Sequence, residues 1–173
     1  MGDAKDPLAT RVGERLEAQS STLAVAESLT GGLMSSCLAR VEGSGRWFRG
    51  GVVAYASEVK YRVLGVRPGP VVSEQAARQM ASGAASLLES DVAVALTGVG
   101  GPDDQEGQPP GTVWIATWVA GEEAARRFRF DGEPAEVCAA ACDSALGMLD
   151  EALSRRGQLS GGGVASSEER CST

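Results

Sequence analysis

The segments 22–26 and 91–97 (DVAVALT) are short apolar runs that lack the in-and-out alternation of a strand with one wet face. Strands of that kind are buried on both sides, so helices must cover each face of the sheet that holds them. The intervening sequence supplies the helices. Leu8, Val12 and Leu16 recur every four residues, and Leu33, Met34, Cys37 and Leu38 resume a helical spacing after Gly31-Gly32. A further helix is read over 58–64, ending at Gly65, and Ser73 can cap a long one over 73–89 with Ala77, Met80, Ala84 and Leu87 or Leu88 as its apolar stripe. A second strand is read over 47–55, behind the Gly43-Ser44-Gly45 turn. Residues 112–119 and 125–130 form a hairpin around Ala120-Gly121-Glu122-Glu123, the acidic, Pro-rich stretch 103–110 is a loop, and a helix over 134–155 closes the chain. Strands alternating with helices, plus one late hairpin, predict an α/β fold: a three-layer α/β/α domain around a mixed sheet spanning 1–156. The remainder, 157–173, carries Gly161-Gly162-Gly163 and Ser166-Ser167 with hardly an apolar side chain, and is expected to be a disordered tail.

Charge and composition then remove whole classes of function. The 173 residues hold 16 Lys+Arg against 23 Asp+Glu, a net charge of −7, which is the wrong sign for a general nucleic-acid binder. Histidine is absent, so Ser-His-Asp and Cys-His catalysis and histidine-ligated metals are excluded. Glycine reaches 23 residues while aromatics make up 5%, which favours backbone-rich loops and a core of small side chains. Cys37, Cys138, Cys142 and Cys171 lack CxxC spacing, so reduced thiols and no metal are expected. No apolar run is long enough for a membrane span, and a cytoplasmic protein without a membrane partner is expected.

With histidine gone, the chemistry must lie with other groups. The turn Glu27-Ser28-Leu29-Thr30-Gly31-Gly32 sets a serine between a strand end and a helix start, where unpaired N–H groups can hold an oxyanion. Simple capping by Ser28 or Thr30 is the plain alternative. A base for a serine would then be a lysine of lowered pKa, and Lys5 and Lys60 are the chain's two lysines. Tyr55 and Lys60 flank one strand-to-helix junction and could face one pocket, or be an edge tyrosine and a solvated lysine. Gly98-Val99-Gly100-Gly101 fails the dinucleotide fingerprint, since Asp103 stands where the third glycine belongs and no helix follows. That loop either brings N–H groups to a phosphate or carboxamide, or is a plain turn. Cys138 and Cys142 share a helix face as small core residues, and Arg126, Arg127 and Arg129 alternate with Phe128 and Phe130 as on an edge strand.

Five ordered segments together carry a family resemblance: Ala26-Glu27-Ser28-Leu29-Thr30-Gly31-Gly32, Gly51-Val52-Val53-Ala54-Tyr55-Ala56-Ser57-Glu58-Val59-Lys60, Val72-Ser73-Glu74, Leu96-Thr97-Gly98-Val99-Gly100-Gly101-Pro102 and Gly111-Thr112-Val113-Trp114. Over about residues 8–150 the chain resembles the carboxy-terminal domain of the competence/damage-inducible CinA family. The resemblance implies a nicotinamide-nucleotide amidase of pyridine-nucleotide salvage, which converts nicotinamide mononucleotide to nicotinic acid mononucleotide and ammonia without cofactor or metal. It implies Ser28 as nucleophile, Lys60 as general base and the Tyr55 hydroxyl as a proton relay. Thr97, Gly98, Gly100 and Gly101 would line the pocket of this small-molecule nucleotide, and N–H groups around Thr30 and Gly31 would hold the oxyanion. A homo-oligomer is expected. Departures accompany the match: Leu29 stands where the family carries Cys, Ser57 where it carries Asn, the stretch before Val72 is shorter, and Pro134 and Cys138 replace two arginines at the start of the last helix. Their loss implies weakened or absent turnover, and the alternative is a degenerate domain kept as a binding or assembly module.

Overall fold

A computed structural model describes residues 6–161. Helix α1 (Pro7–Ala18) begins with Pro7 at its first position, and the Asp6 carboxylate accepts the N–H groups of Leu8 at 2.8 Å and Ala9 at 3.1 Å. There follow β1 (Leu23–Glu27), α2 (Leu33–Ala39), a single 3-10 turn (Ser44–Arg46), β2 (Phe48–Val53), α3 (Ser57–Leu64), α4 (Glu74–Leu87), β3 (Val92–Gly98), β4 (Thr112–Val119), β5 (Glu122–Arg129) and α5 (Pro134–Gly161). Ser73 caps α4 as expected, its hydroxyl accepting from the Ala76 N–H at 3.2 Å. No described helix is long and apolar enough to cross a membrane.

The five strands form one mixed sheet in the order β2-β1-β3-β4-β5, with β2, β1 and β3 parallel and β3, β4 and β5 antiparallel. Burial accounts for the sequence pattern. Every residue of β1 and β3 is buried. Leu23, Val25, Val92, Val94 and Leu96 face a layer contributed by α1, α2 and α5. Ala24, Ala26, Ala93 and Ala95 face α4, whose own Ala76, Ala77, Ala81, Ala84 and Ala85 complete a core of small side chains. Small residues on both surfaces let α4 lie close to the sheet, and the α/β/α sandwich follows.

Several boundaries differ from the sequence expectation: β2 ends at Val53 rather than at 55 and α4 at Leu87 rather than at 89, and two differences are larger. The hairpin turn is the dipeptide Ala120-Gly121, with φ of 50° and 94°, so Glu122 and Glu123 already pair with Val119 and Trp118. Two successive left-handed residues match the twist of the flanking strands, which a wider turn would not. Helix α5 continues past the expected end of the domain to Gly161, drawing 157–161 out of the expected tail; the rest of that segment lies outside the described residues.

Gly83 sits inside α4, where a Cβ would meet the carbonyl oxygen of Leu64 at the end of α3. Helix propensity favours alanine at such a position by about 1 kcal/mol, but the clash is with backbone. Gly83→Ala is therefore expected to destabilise the fold by about 1–3 kcal/mol in denaturant titration.

Candidate active site

In the order β2-β1-β3 the chain leaves β1 for β2 on one side and reaches β3 on the other, so connections diverge at the carboxyl end of β1. Open α/β sheets place their ligands in such a crevice. The three strand ends are in register there. Glu27 pairs with Val53 and with Leu96, the Ala54 N–H donates to the Glu27 carbonyl at 2.8 Å, and the Ser28 N–H donates to the Leu96 carbonyl at 3.1 Å. Ser28 thus lies between the ends of β2 and β3. The apolar groove lined by Val119, Ala120, Ala152, Arg155 and Leu159 lies at the opposite end of the sheet, where the hairpin turns, and offers none of these groups.

The turn after Ser28 owes its shape to Gly31 and Gly32, whose φ values of 59° and 105° are left-handed. What holds it is Glu27, the last residue of β1 and fully buried. Its Oε2 accepts from Thr30 Oγ1 at 2.7 Å, Gly32 N at 3.0 Å and Met34 N at 3.1 Å; its Oε1 accepts from Ser35 N at 2.8 Å and Ser35 Oγ at 2.6 Å. Neither Ser28 nor Thr30 caps α2: the N-cap is Gly32, and the carboxylate from the preceding strand does the work. A carboxylate ending an otherwise apolar run was the visible signal for this role.

Part of the turn expected to meet the substrate is already occupied, while the Thr30 N–H is not. The Thr30 hydroxyl is committed to the carboxylate, and the Gly31 N–H donates to the Ser28 carbonyl at 3.1 Å, so neither is free for an oxyanion. Among the described residues, the N–H groups of Leu29 and Thr30 have no protein acceptor, which makes them the available donors. Thr97 does not present its hydroxyl to a pocket either; it donates to the Val71 carbonyl at 2.7 Å. Gly98 serves strand packing, since a Cβ there would stand 2.5 Å from the Thr112 carbonyl oxygen. Gly100 and Gly101 remain in the loop, with a Cβ on Gly100 meeting only Pro134 at 4.0 Å.

Lys60 is 1% exposed, and its Nζ donates to the main-chain carbonyl of Tyr55 at 3.1 Å. The expected solvated alternative is excluded, but the partner differs from the expected one. The Tyr55 side chain is 71% exposed, and its main-chain oxygen, rather than its hydroxyl, holds the lysine. The strand ends bring Ser28, Tyr55 and Lys60 to the same edge of the sheet, while no hydrogen bond joins Ser28 Oγ to Lys60 Nζ among the described residues. Burial pushes the Lys60 pKa below the ordinary lysine value of 10.5, and the negative charge of Glu106 pulls it partly back. Glu106 belongs to the 103–110 loop and accepts the N–H groups of Val71 at 3.1 Å and Val72 at 2.9 Å, a clasp the sequence did not reveal.

The three described cysteines, Cys37, Cys138 and Cys142, are poor nucleophiles. Cys138 donates its thiol to the Leu29 carbonyl at 3.3 Å, and burial raises its pKa, with the Glu27 charge adding to the effect. Burial likewise pushes Cys37 up to about 11 and Cys142 up to about 12, so these thiols stay protonated near neutral pH.

A family model described as the CinA C-terminal domain matches residues 5–153. A CinA-like protein of Gemmatimonas aurantiaca is 39% identical over 160 residues, which is 89% of this chain and 37% of that protein. A CinA-like protein of Frankia casuarinae is 40% identical over 157 residues, or 88% of this chain and 36% of its own length. The chain thus spans about a third of the length of these curated relatives. Among solved structures, a CinA superfamily protein of Klebsiella pneumoniae superposes with a TM-score of 0.83 at 36% identity, covering 86% of this chain and 96% of that one. A competence/damage inducible protein of Agrobacterium tumefaciens gives 0.81 at 33% identity, covering 89% and 97%.

Titration of Lys60 yields a signed test. Below its folded-state pKa the lysine is charged in both states, and its burial costs the native state in full. Between that value and 10.5 the unfolded chain binds a proton that the native one does not, so stability rises with pH. Lys60→Met is expected to remove this rise, so that any stability advantage of the variant at low pH narrows toward pH 10.5 in denaturation midpoints. Glu106→Gln, which takes away the opposing charge, should move the Lys60 titration to still lower pH.

Proposed function

The chain belongs to the CinA C-terminal-domain family, and on that premise we propose that it is a nicotinamide-nucleotide amidase acting on the carboxamide of nicotinamide mononucleotide. Ser28 Oγ attacks the amide carbon while its proton passes to the neutral Lys60 amine. The Leu29 and Thr30 N–H groups take up the charge that develops on the carbonyl oxygen. Collapse of the tetrahedral intermediate breaks the C–N bond, Lys60 returns the proton to the departing nitrogen, and ammonia leaves. Water activated by the same amine then cleaves the acyl-serine ester, releasing nicotinic acid mononucleotide and restoring the serine.

The burial of Lys60 carries this reading. A lysine 1% exposed, with one carbonyl partner and, among the described residues, no carboxylate within 4.0 Å, is a costly group for a domain that only binds or assembles. Burial lowers its pKa, the direction that favours the unprotonated amine a general base needs. The opposing reading, a degenerate module, draws support from Pro134 and Cys138. Pro134 packs toward Gly100 and Cys138 touches the Leu29 carbonyl, so the two positions border the site with no cation on either. An arginine on a phosphate contributes about 1.5–3 kcal/mol, or roughly ten- to hundredfold in affinity. The proposed enzyme therefore holds its nucleotide weakly.

Purified protein is expected to release ammonia slowly from nicotinamide mononucleotide, and Ser28→Ala to abolish the release while keeping the fold. Cys138→Arg should raise kcat/KM by roughly tenfold or more. Tyr55→Phe should retain most of the rate, because the main-chain oxygen that holds Lys60 survives; a large loss would restore the relay role to the hydroxyl. Absence of ammonia from both wild type and Cys138→Arg would favour the module.

A further inference from the structure

The α2 helix has seven residues, and its cap is unusual in origin. Gly32 occupies the N-cap in a left-handed conformation without a side-chain hydrogen bond. Its donors converge instead on Glu27, the residue immediately before Ser28. All five partners of the Glu27 carboxylate are donors. The five divide into two groups. Thr30 Oγ1 and Gly32 N belong to the turn that carries Ser28; Met34 N, Ser35 N and Ser35 Oγ belong to the helix. The Glu27 main chain is pinned as well, its carbonyl accepting the Ala54 N–H at 2.8 Å.

We infer that Glu27 is a positioning residue for the nucleophile. Its carboxylate, anchored on α2, grips the 28–32 turn through Thr30 and Gly32 and so sets where Ser28 Oγ stands. By drawing the Met34 and Ser35 N–H groups to itself, while the Leu33 N–H donates to the Thr30 carbonyl at 3.0 Å, it also denies that helix end to an anion, leaving the oxyanion to Leu29 and Thr30. This inference rests on the amidase reading, because positioning has meaning only if Ser28 attacks. A cap alone would serve the helix side of the carboxylate and be indifferent to the turn side, and that difference can be measured.

A fluorophosphonate probe reports the reactivity of Ser28 whatever the natural substrate is. The Oγ–P bond forms, the P–F bond breaks with loss of fluoride, and the serine proton goes to Lys60. Rates of Ser28 modification, read by mass spectrometry well below each variant's melting temperature, are compared for wild type, Glu27→Gln, Thr30→Val and Ser35→Ala. Glu27→Gln is expected to slow modification on the order of a hundredfold, the cost of a nucleophile displaced by about 1 Å. Thr30→Val, which removes the turn-side hydroxyl, should slow it about tenfold, and Ser35→Ala, on the helix side, less than about twofold. With nicotinamide mononucleotide the same variants should lose kcat with KM nearly unchanged. If Glu27→Gln fails to fold, the contrast between Thr30→Val and Ser35→Ala decides. Equal slowing in those two, or wild-type rates in Glu27→Gln and Thr30→Val, would overturn the positioning role while leaving the amidase reading intact. A wild-type protein whose Ser28 is never modified would overturn the amidase reading, and the positioning role with it.

Discussion

Burial of β1 on both faces is the constraint from which the site follows. A strand flanked by β2 and β3 and covered by helices above and below has no water to solvate whatever polar group ends it. Glu27 ends it, and its side chain is fully buried. The carboxylate must therefore find its hydrogen bonds inside the protein, and the nearest donors are the turn after Ser28 and the first turn of α2. Once these are taken, the helix end that looks like an anion site in the sequence is neutralised from within. Among the described residues, the unpaired N–H groups that remain are those of Leu29 and Thr30, next to the serine rather than on the helix.

The second buried charge, Lys60, depends on the other layer. The helix that carries it, α3, packs closely on α4 because Gly83 of α4 presents no Cβ to the last carbonyl of α3. The alanine surfaces of β1, β3 and α4 extend the same economy of volume across the whole face. Burial is what lowers the Lys60 pKa. Glu106 works in the opposite direction from across the loop, tying Val71 and Val72 while its charge favours the ammonium. The Lys60 pKa is set by burial first and by this carboxylate second.

Family membership and individual departure meet at the start of α5. The fold agrees with a CinA superfamily structure to a TM-score of 0.83, so the scaffold around Pro134 and Cys138 is retained. Their neighbours, Gly100 and the Leu29 carbonyl, are parts of the two loops that border the strand ends.

Much was legible in the linear sequence. The unalternating runs ending at Ala26 and Thr97 determined a sheet covered on both sides, the four-residue recurrence of Leu8, Val12 and Leu16 determined α1, and Ser73 marked the start of α4. These are local periodicities, and burial on one face or two writes them directly into residue order. Ser28, Tyr55 and Lys60 were also legible as candidates, through a serine at a strand-helix junction, the absence of histidine and the family resemblance. Which atoms of those residues act was not. Whether Tyr55 offers its hydroxyl or its carbonyl, whether Thr30 and Thr97 face a ligand or hold Glu27 and Val71, and whether Lys60 is wet or dry all depend on contacts between segments far apart in sequence. Hydrogen-bond partners and desolvation are properties of three-dimensional neighbours, so only the packed sheet and its two helical layers could decide them.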